Sequence, residues 1–173
     1  MEDECHLLWG DTLGYVWGRR NTSITVPMTN EKERQTYYGA LNIATKDFHV
    51  CPFPKGDSVN TVKFVKHLQA LYPRAKLLFI WDGASYHRYA DMQAYLQAIN
   101  TGVPKKDWKV MCELFAPNAP DQNPVEDIWL KGKNFLRKYF YQHRTFAQVK
   151  QAFLHFLQTT KFNFPKLQWY AYN

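Results

Sequence analysis

The chain has few of the residues that staple or anchor a protein. Its three cysteines, Cys5, Cys51 and Cys112, are odd in number and far apart. They form no C-x-x-C pair, which excludes a disulfide framework and a zinc ribbon and fits a reducing compartment. No run of about 18 apolar residues occurs, and the N-terminus lacks a basic region followed by an apolar stretch, so neither a membrane span nor a signal peptide is expected. The expected location is cytoplasmic, with nucleoid association if the source is bacterial. Acidic residues are also scarce: 15 Asp and Glu stand against 22 Lys and Arg, a net charge of +7, which favours a polyanionic partner over an acidic one. Repeats, low-complexity tracts and linkers are missing too. What remains is 173 residues at 46% hydrophobic content, the profile of one globular domain spanning 1–173.

The first half reads as strands and tight turns. Segments 4–9, 14–19, 22–27, 36–44 and 48–53 carry β-branched and aromatic residues, and together they predict an antiparallel meander. The period then changes. Val62, Val65, Leu68, Leu71 and Tyr72 recur at helical spacing until Pro73. "KLLFIW" (76–81) is a continuous apolar run with the pattern of a strand buried on both faces. A helix over 88–99, a loop at "TGVPKKDW" and a second buried strand over 110–115 follow. Near the C-terminus Thr145 and Gln148 form a T-x-x-Q capping box ahead of Phe146, Val149, Phe153, Phe156 and Leu157 on one helix face. The sum is a mixed α/β domain.

Three acids stand where chain direction changes. Asp82 closes "KLLFIWD", the strand end beyond which open sheets place ligands, and it could equally cap the following helix. Glu126 falls at the third position of a helix capped by Asn123 and opened by Pro124. That site suits a glutamate capping its own helix, and it also favours the charged carboxylate by about 0.3 to 1 kcal/mol. In "MEDECHLLW", Asp3, Cys5, Leu7 and Trp9 share one strand face while Glu2, Glu4 and His6 share the other. Residue chemistry alone makes this a solvated terminus.

Taken together, Asp3-Glu4, "WDGASYH" with Asp82 and His87, and "PDQNPVEDIW" with Asp121, Asn123, Pro124, Glu126 and Trp129 resemble the three acidic signatures of the DDE transposases. The likeness is to the mariner superfamily and its bacterial insertion-sequence relatives, the DDE superfamily endonucleases. It runs from about residue 3 to 140, and Trp17 and Lys133 sit where that family usually has a tryptophan and a lysine. Departures are Gly83 for a common asparagine, Asn21 for a frequent glycine, Asn118-Ala119 for a tyrosine-serine pair, and 43 residues between Asp82 and Glu126. The resemblance implies a ribonuclease H-like fold, a mixed sheet of antiparallel meander plus parallel strands flanked by helices. Asp3, Asp82 and Glu126 would be the catalytic residues and the ligands of two Mg²⁺ ions, for which Mn²⁺ can substitute, in phosphodiester hydrolysis and strand transfer. Oxygen-only ligands suit such hard ions.

The implied partners are transposon-end and target DNA, a second copy of the chain in the DNA complex, and a separately encoded N-terminal DNA-binding part. Helix-turn-helix modules precede this domain in the family, so a truncated or split copy is expected here. The alternative is a non-catalytic DNA-binding or dimerising remnant that modulates a full-length transposase. Lys131, Lys133, Arg137 and Lys138 on the Glu126 helix, with Lys105, Lys106 and Lys109 in the loop before the last strand, are candidate phosphate contacts; a solvated charged face is the competing reading. His87, Asp121 and Asp127 are better read as structural than as ligands. Trp129, Phe135, Tyr139 and Phe140 recur at core spacing.

Overall fold

In the computed structural model the described residues are 1–14, 17–23, 25, 33–83, 90–116 and 122–170. Three strands, β1 (Glu2–Leu8), β2 (Arg34–Leu41) and β3 (Phe48–Phe53), form an antiparallel sheet in that order. Asp3 lies opposite Gly39 and Cys5 opposite Tyr37. Two further strands, β4 (Leu77–Trp81) and β5 (Val110–Leu114), pair in parallel, and β4 lies alongside β1. The α-helices among the described residues are α1 (Ser58–Leu71), α2 (Ala90–Asn100), α3 (Pro124–Lys138) and α4 (Phe146–Thr159).

The alternation along β1 and β2 sorts side chains into two cores. Cys5, Leu7, Tyr37 and Leu41 meet Val125, Ile128 and Trp129 of α3 and Val149 and Phe153 of α4. Tyr38 and Ala40 point the other way, into Phe64, Val65 and Leu68 of α1 and Phe79 and Trp81 of β4. The three-stranded sheet is therefore the partition between two apolar layers, the arrangement that lets a sheet bury both faces.

Helix ends follow their sequence signals. Asp57 caps α1 by accepting from the Asn60 N–H at 2.9 Å. Asn123 caps α3 through the Val125 N–H at 3.1 Å with Pro124 at the first turn. Thr145 and Gln148 form the expected reciprocal capping box of α4.

Two expectations fail. The strands read over 14–19 and 22–27 fall partly outside the described residues, and the described ones among them form no strand. A turn occupies their middle, where Asn21 has φ 63° and Thr22 N–H donates to the Arg19 carbonyl. β4 and β5 are not covered on both faces either, since on the face opposite Phe79, Trp81 and Val110 both Leu78 and Glu113 are exposed. Apolar continuity marks a buried strand only where a layer exists to cover each side, and here α1 and α2 pack on one side.

Candidate active site

Asp3 enters from β1, whose ladder with β2 fixes its place. Its carboxyl is half-buried on the α3 side of the sheet, and its Oδ2 accepts a hydrogen bond from Trp129 Nε1 at 3.1 Å. Asp82 is exposed immediately after β4. The ladder continues past the end of β5, with Phe115 N–H donating to the Trp81 carbonyl at 2.9 Å. The chain leaving β5 thus starts beside Asp82. It arrives at the α3 N-terminus, where Asn123 does the capping and Glu126, at the third helical position, is exposed. Gln122 Oε1 accepts from Ala116 N–H at 3.3 Å, tying the two ends of that connection together. Pro117, Pro120 and Asp121 in between, and His87 after Asp82, lie outside the described residues.

Electrostatics place the three acids in one neighbourhood. Burial pushes the Asp3 carboxyl up to about 8, and the negative charges of Glu4, Glu126 and Asp82 add to the rise. Like charges disfavour one another's ionised forms, and at an effective dielectric near 20 two of them 4 Å apart cost about 4 kcal/mol. Among the described residues no three His, Cys, Asp or Glu side chains gather tightly enough to enclose an ion. The acids are close enough to repel and too far apart to form a finished cage. An all-oxygen donor set with surplus negative charge suits a hard divalent cation, which would relieve that repulsion.

A family model of the DDE superfamily endonucleases matches residues 2–151. The chain belongs to the DDE superfamily endonucleases. Similar solved structures are the Mos1 transposase paired-end complex with left transposon end, at 13% identity and TM-score 0.59, and the Mos1 mariner paired end complex with Mn, at 14% and 0.57. Each likeness covers 98% of this chain and 49% of the other, so the chain spans about half the length of those proteins. No curated protein matches it. The fold shared with those structures is ribonuclease H-like, as the acidic signatures implied.

The basic residues singled out in this DDE domain divide by position. Lys133 and Arg137 stand seven and eleven residues after Glu126, on its stripe of α3. Both are engaged: Lys133 Nζ pairs with Asp11 Oδ1 at 3.1 Å, and Arg137 donates to the Leu13 carbonyl and to Asn134. Lys131 and Lys138 project from another stripe and are exposed, lying over the Phe164 and Tyr139 rings. Lys105, Lys106 and Lys109 sit before the first residue of β5, whereas Asp82 follows the last residue of β4. The parallel register therefore separates them from the acids by the strand length, about 16 Å for five residues.

Other candidates also have definite places. Asp127 forms an ion pair with Lys166 at 2.7 Å. Trp17 is fully exposed and lines a cavity of about 710 Å³ with Leu13, Gly14 and Arg137, at the far end of α3 from Glu126. Asn21, in the position of a family glycine, has the left-handed φ that glycine would supply, and asparagine tolerates it. Gly83 faces open space, leaving room for the family's asparagine. Sequence reasoning missed Glu2, which is 1% exposed, and Gly39, whose position opposite Asp3 depends on register.

Proposed function

We propose that this domain cleaves and joins DNA strands in transposition, with Asp3, Asp82 and Glu126 as its catalytic residues and the ligands of two Mg²⁺ ions. The reading is supported by the places of these acids, on β1, just after β4 and at the start of α3, with the charges of Asp82 and Glu126 felt at Asp3, within a chain matched over 2–151 by the DDE endonuclease model. Two bound divalent ions supply activation of the attacking oxygen and stabilisation of the leaving one at phosphorus. The chain's own part is positional. The β1 ladder fixes Asp3, the Phe115 to Trp81 bond keeps the α3 connection beside Asp82, and the Asn123 cap starts the helix that presents Glu126. Lys131, Lys133, Arg137 and Lys138 are proposed to hold the phosphates of transposon-end and target DNA. Two copies of the chain are proposed to work on paired ends, by likeness to the Mos1 paired-end complexes.

The test uses duplexes carrying the ends of the encoding element, with Mg²⁺ or Mn²⁺. Cleavage is expected with the intact chain, and Asp82→Asn should lower it at least 100-fold while leaving the metal-free melting temperature no lower. Mg²⁺ should raise the melting temperature of the wild type and not of Asp82→Asn. Cleavage by Asp82→Asn at the wild-type rate overturns the assignment. DNA binding without metal-dependent cleavage would instead support the non-catalytic reading.

A further inference from the structure

Trp129 is 5% exposed and held on three sides. Its ring stacks on Phe153 at 6.3 Å and 21°, and it meets Phe48 edge-on at 5.4 Å. Against it runs the backbone of Gly39, where a Cβ would stand 2.5 Å from both Trp129 Cζ2 and Phe48 Cζ. Gly39 is also the residue directly across the ladder from Asp3. The indole therefore crosses the sheet over the one cross-strand position without a side chain, and its polar atom reaches Asp3 Oδ2 at 3.1 Å. A buried indole N–H takes some acceptor. Here it takes a carboxylate of the candidate site.

We infer that Trp129 is the positioning residue of the metal site: its N–H holds Asp3 Oδ2 and so fixes the direction in which the carboxyl faces a cation, and Gly39 is the opening that admits the ring. The inference rests on the catalytic reading above. It adds that α3 sets two corners of the site together. Glu126 and Trp129 are three residues apart on the same helix, so the helix that carries one acid also carries the donor that orients another. Partners of metal ligands that fix ligand orientation typically contribute 10- to 100-fold in metal affinity.

The decisive measurement is Mn²⁺ binding to the DNA-free protein, read from the free-ion electron paramagnetic resonance signal. Trp129→Phe keeps a ring in the core and loses the N–H; its affinity should fall about 10- to 100-fold. Gly39→Ala, which pushes the indole away, should lower affinity similarly. Phe48→Leu loosens the same packing without touching the donor and should stay within twofold. Affinity within twofold for Trp129→Phe, or an equal loss in Phe48→Leu, overturns the inference. A second measurement leaves Trp129 in place: its indole N–H resonance should move on adding Mg²⁺ and in Asp3→Ala, and indifference to both also overturns it. If the wild type binds no Mn²⁺, the catalytic reading falls and this one with it. If the wild type binds, Asp82→Asn does not, and Trp129→Phe binds normally, only the positioning role is lost.

Discussion

Asp3 carries a heavy electrostatic burden. Burial first, and then the charges of Glu4, Glu126 and Asp82, push its carboxyl up to about 8 from the ordinary 3.8. A raised acid holds its proton more tightly folded than unfolded, so its contribution to stability is present below about pH 4 and lost progressively towards pH 8. The metal-free domain should accordingly melt lower at pH 8 than at pH 5. A loss of at least about 1 kcal/mol corresponds to roughly 2–4 °C in a domain of this size. Asp3→Asn should flatten that slope in a calorimetric pH series, and an unchanged slope would rule out the Asp3 carboxyl as its source. At this scale the sequence displayed Asp82 and Glu126 through strand-end and helix-start position. It could not display Gly39 or Glu2, because register and the covering of a second sheet face depend on distant residues.

α3 is the element that joins these residues. Glu126, Lys133 and Arg137 lie along one stripe, and Trp129 reaches Asp3 from the neighbouring one. Successive turns thereby fasten the helix to β1 and to the turn that follows it, through Asp3, Asp11 and Leu13. On the opposite side Gly132 lets α4 approach, since a Cβ there would meet Phe153 Cε2 at 2.6 Å. Gly132→Ala gains about 1 kcal/mol of helix propensity but overpacks a core contact at about 1–3 kcal/mol. A net loss of about 1 kcal/mol is expected, visible as a lower denaturant midpoint with unchanged slope. The helices were legible because caps and period are local. The described residues of the strands expected over 14–19 and 22–27 form none, since β-branched and aromatic content signals a strand only when a neighbour accepts its backbone.

Across the whole molecule, the net charge of +7 needs an address. Lys131 and Lys138 project from the helix that carries Glu126, while Lys105 and Lys106 stand at the other end of the parallel pair. DNA affinity should fall steeply with salt, and Lys131→Ala and Lys138→Ala should each reduce the slope of log K against log salt by about 1. Lys105→Ala and Lys106→Ala should leave the slope unchanged; an equal effect would place the DNA path along the wrong edge. Fold class was legible from the order of strand-like and helix-like stretches. The division into two cores was not, because nothing local says which face of β1 each layer will cover.

That division has a consequence for how the protein is made. β1 can pair with β2 once Leu41 has been made, but among the described residues its Cys5 and Leu7 face is covered chiefly by α3 and α4, which end at Lys138 and Thr159. With synthesis at about 5–20 residues per second, the ribosome extends the chain for several seconds while half of the sheet lacks its apolar partner. Glu126 and Trp129 reach the Asp3 end of that face at the close of the interval, so this corner of the newborn chain is assembled only as its last third docks.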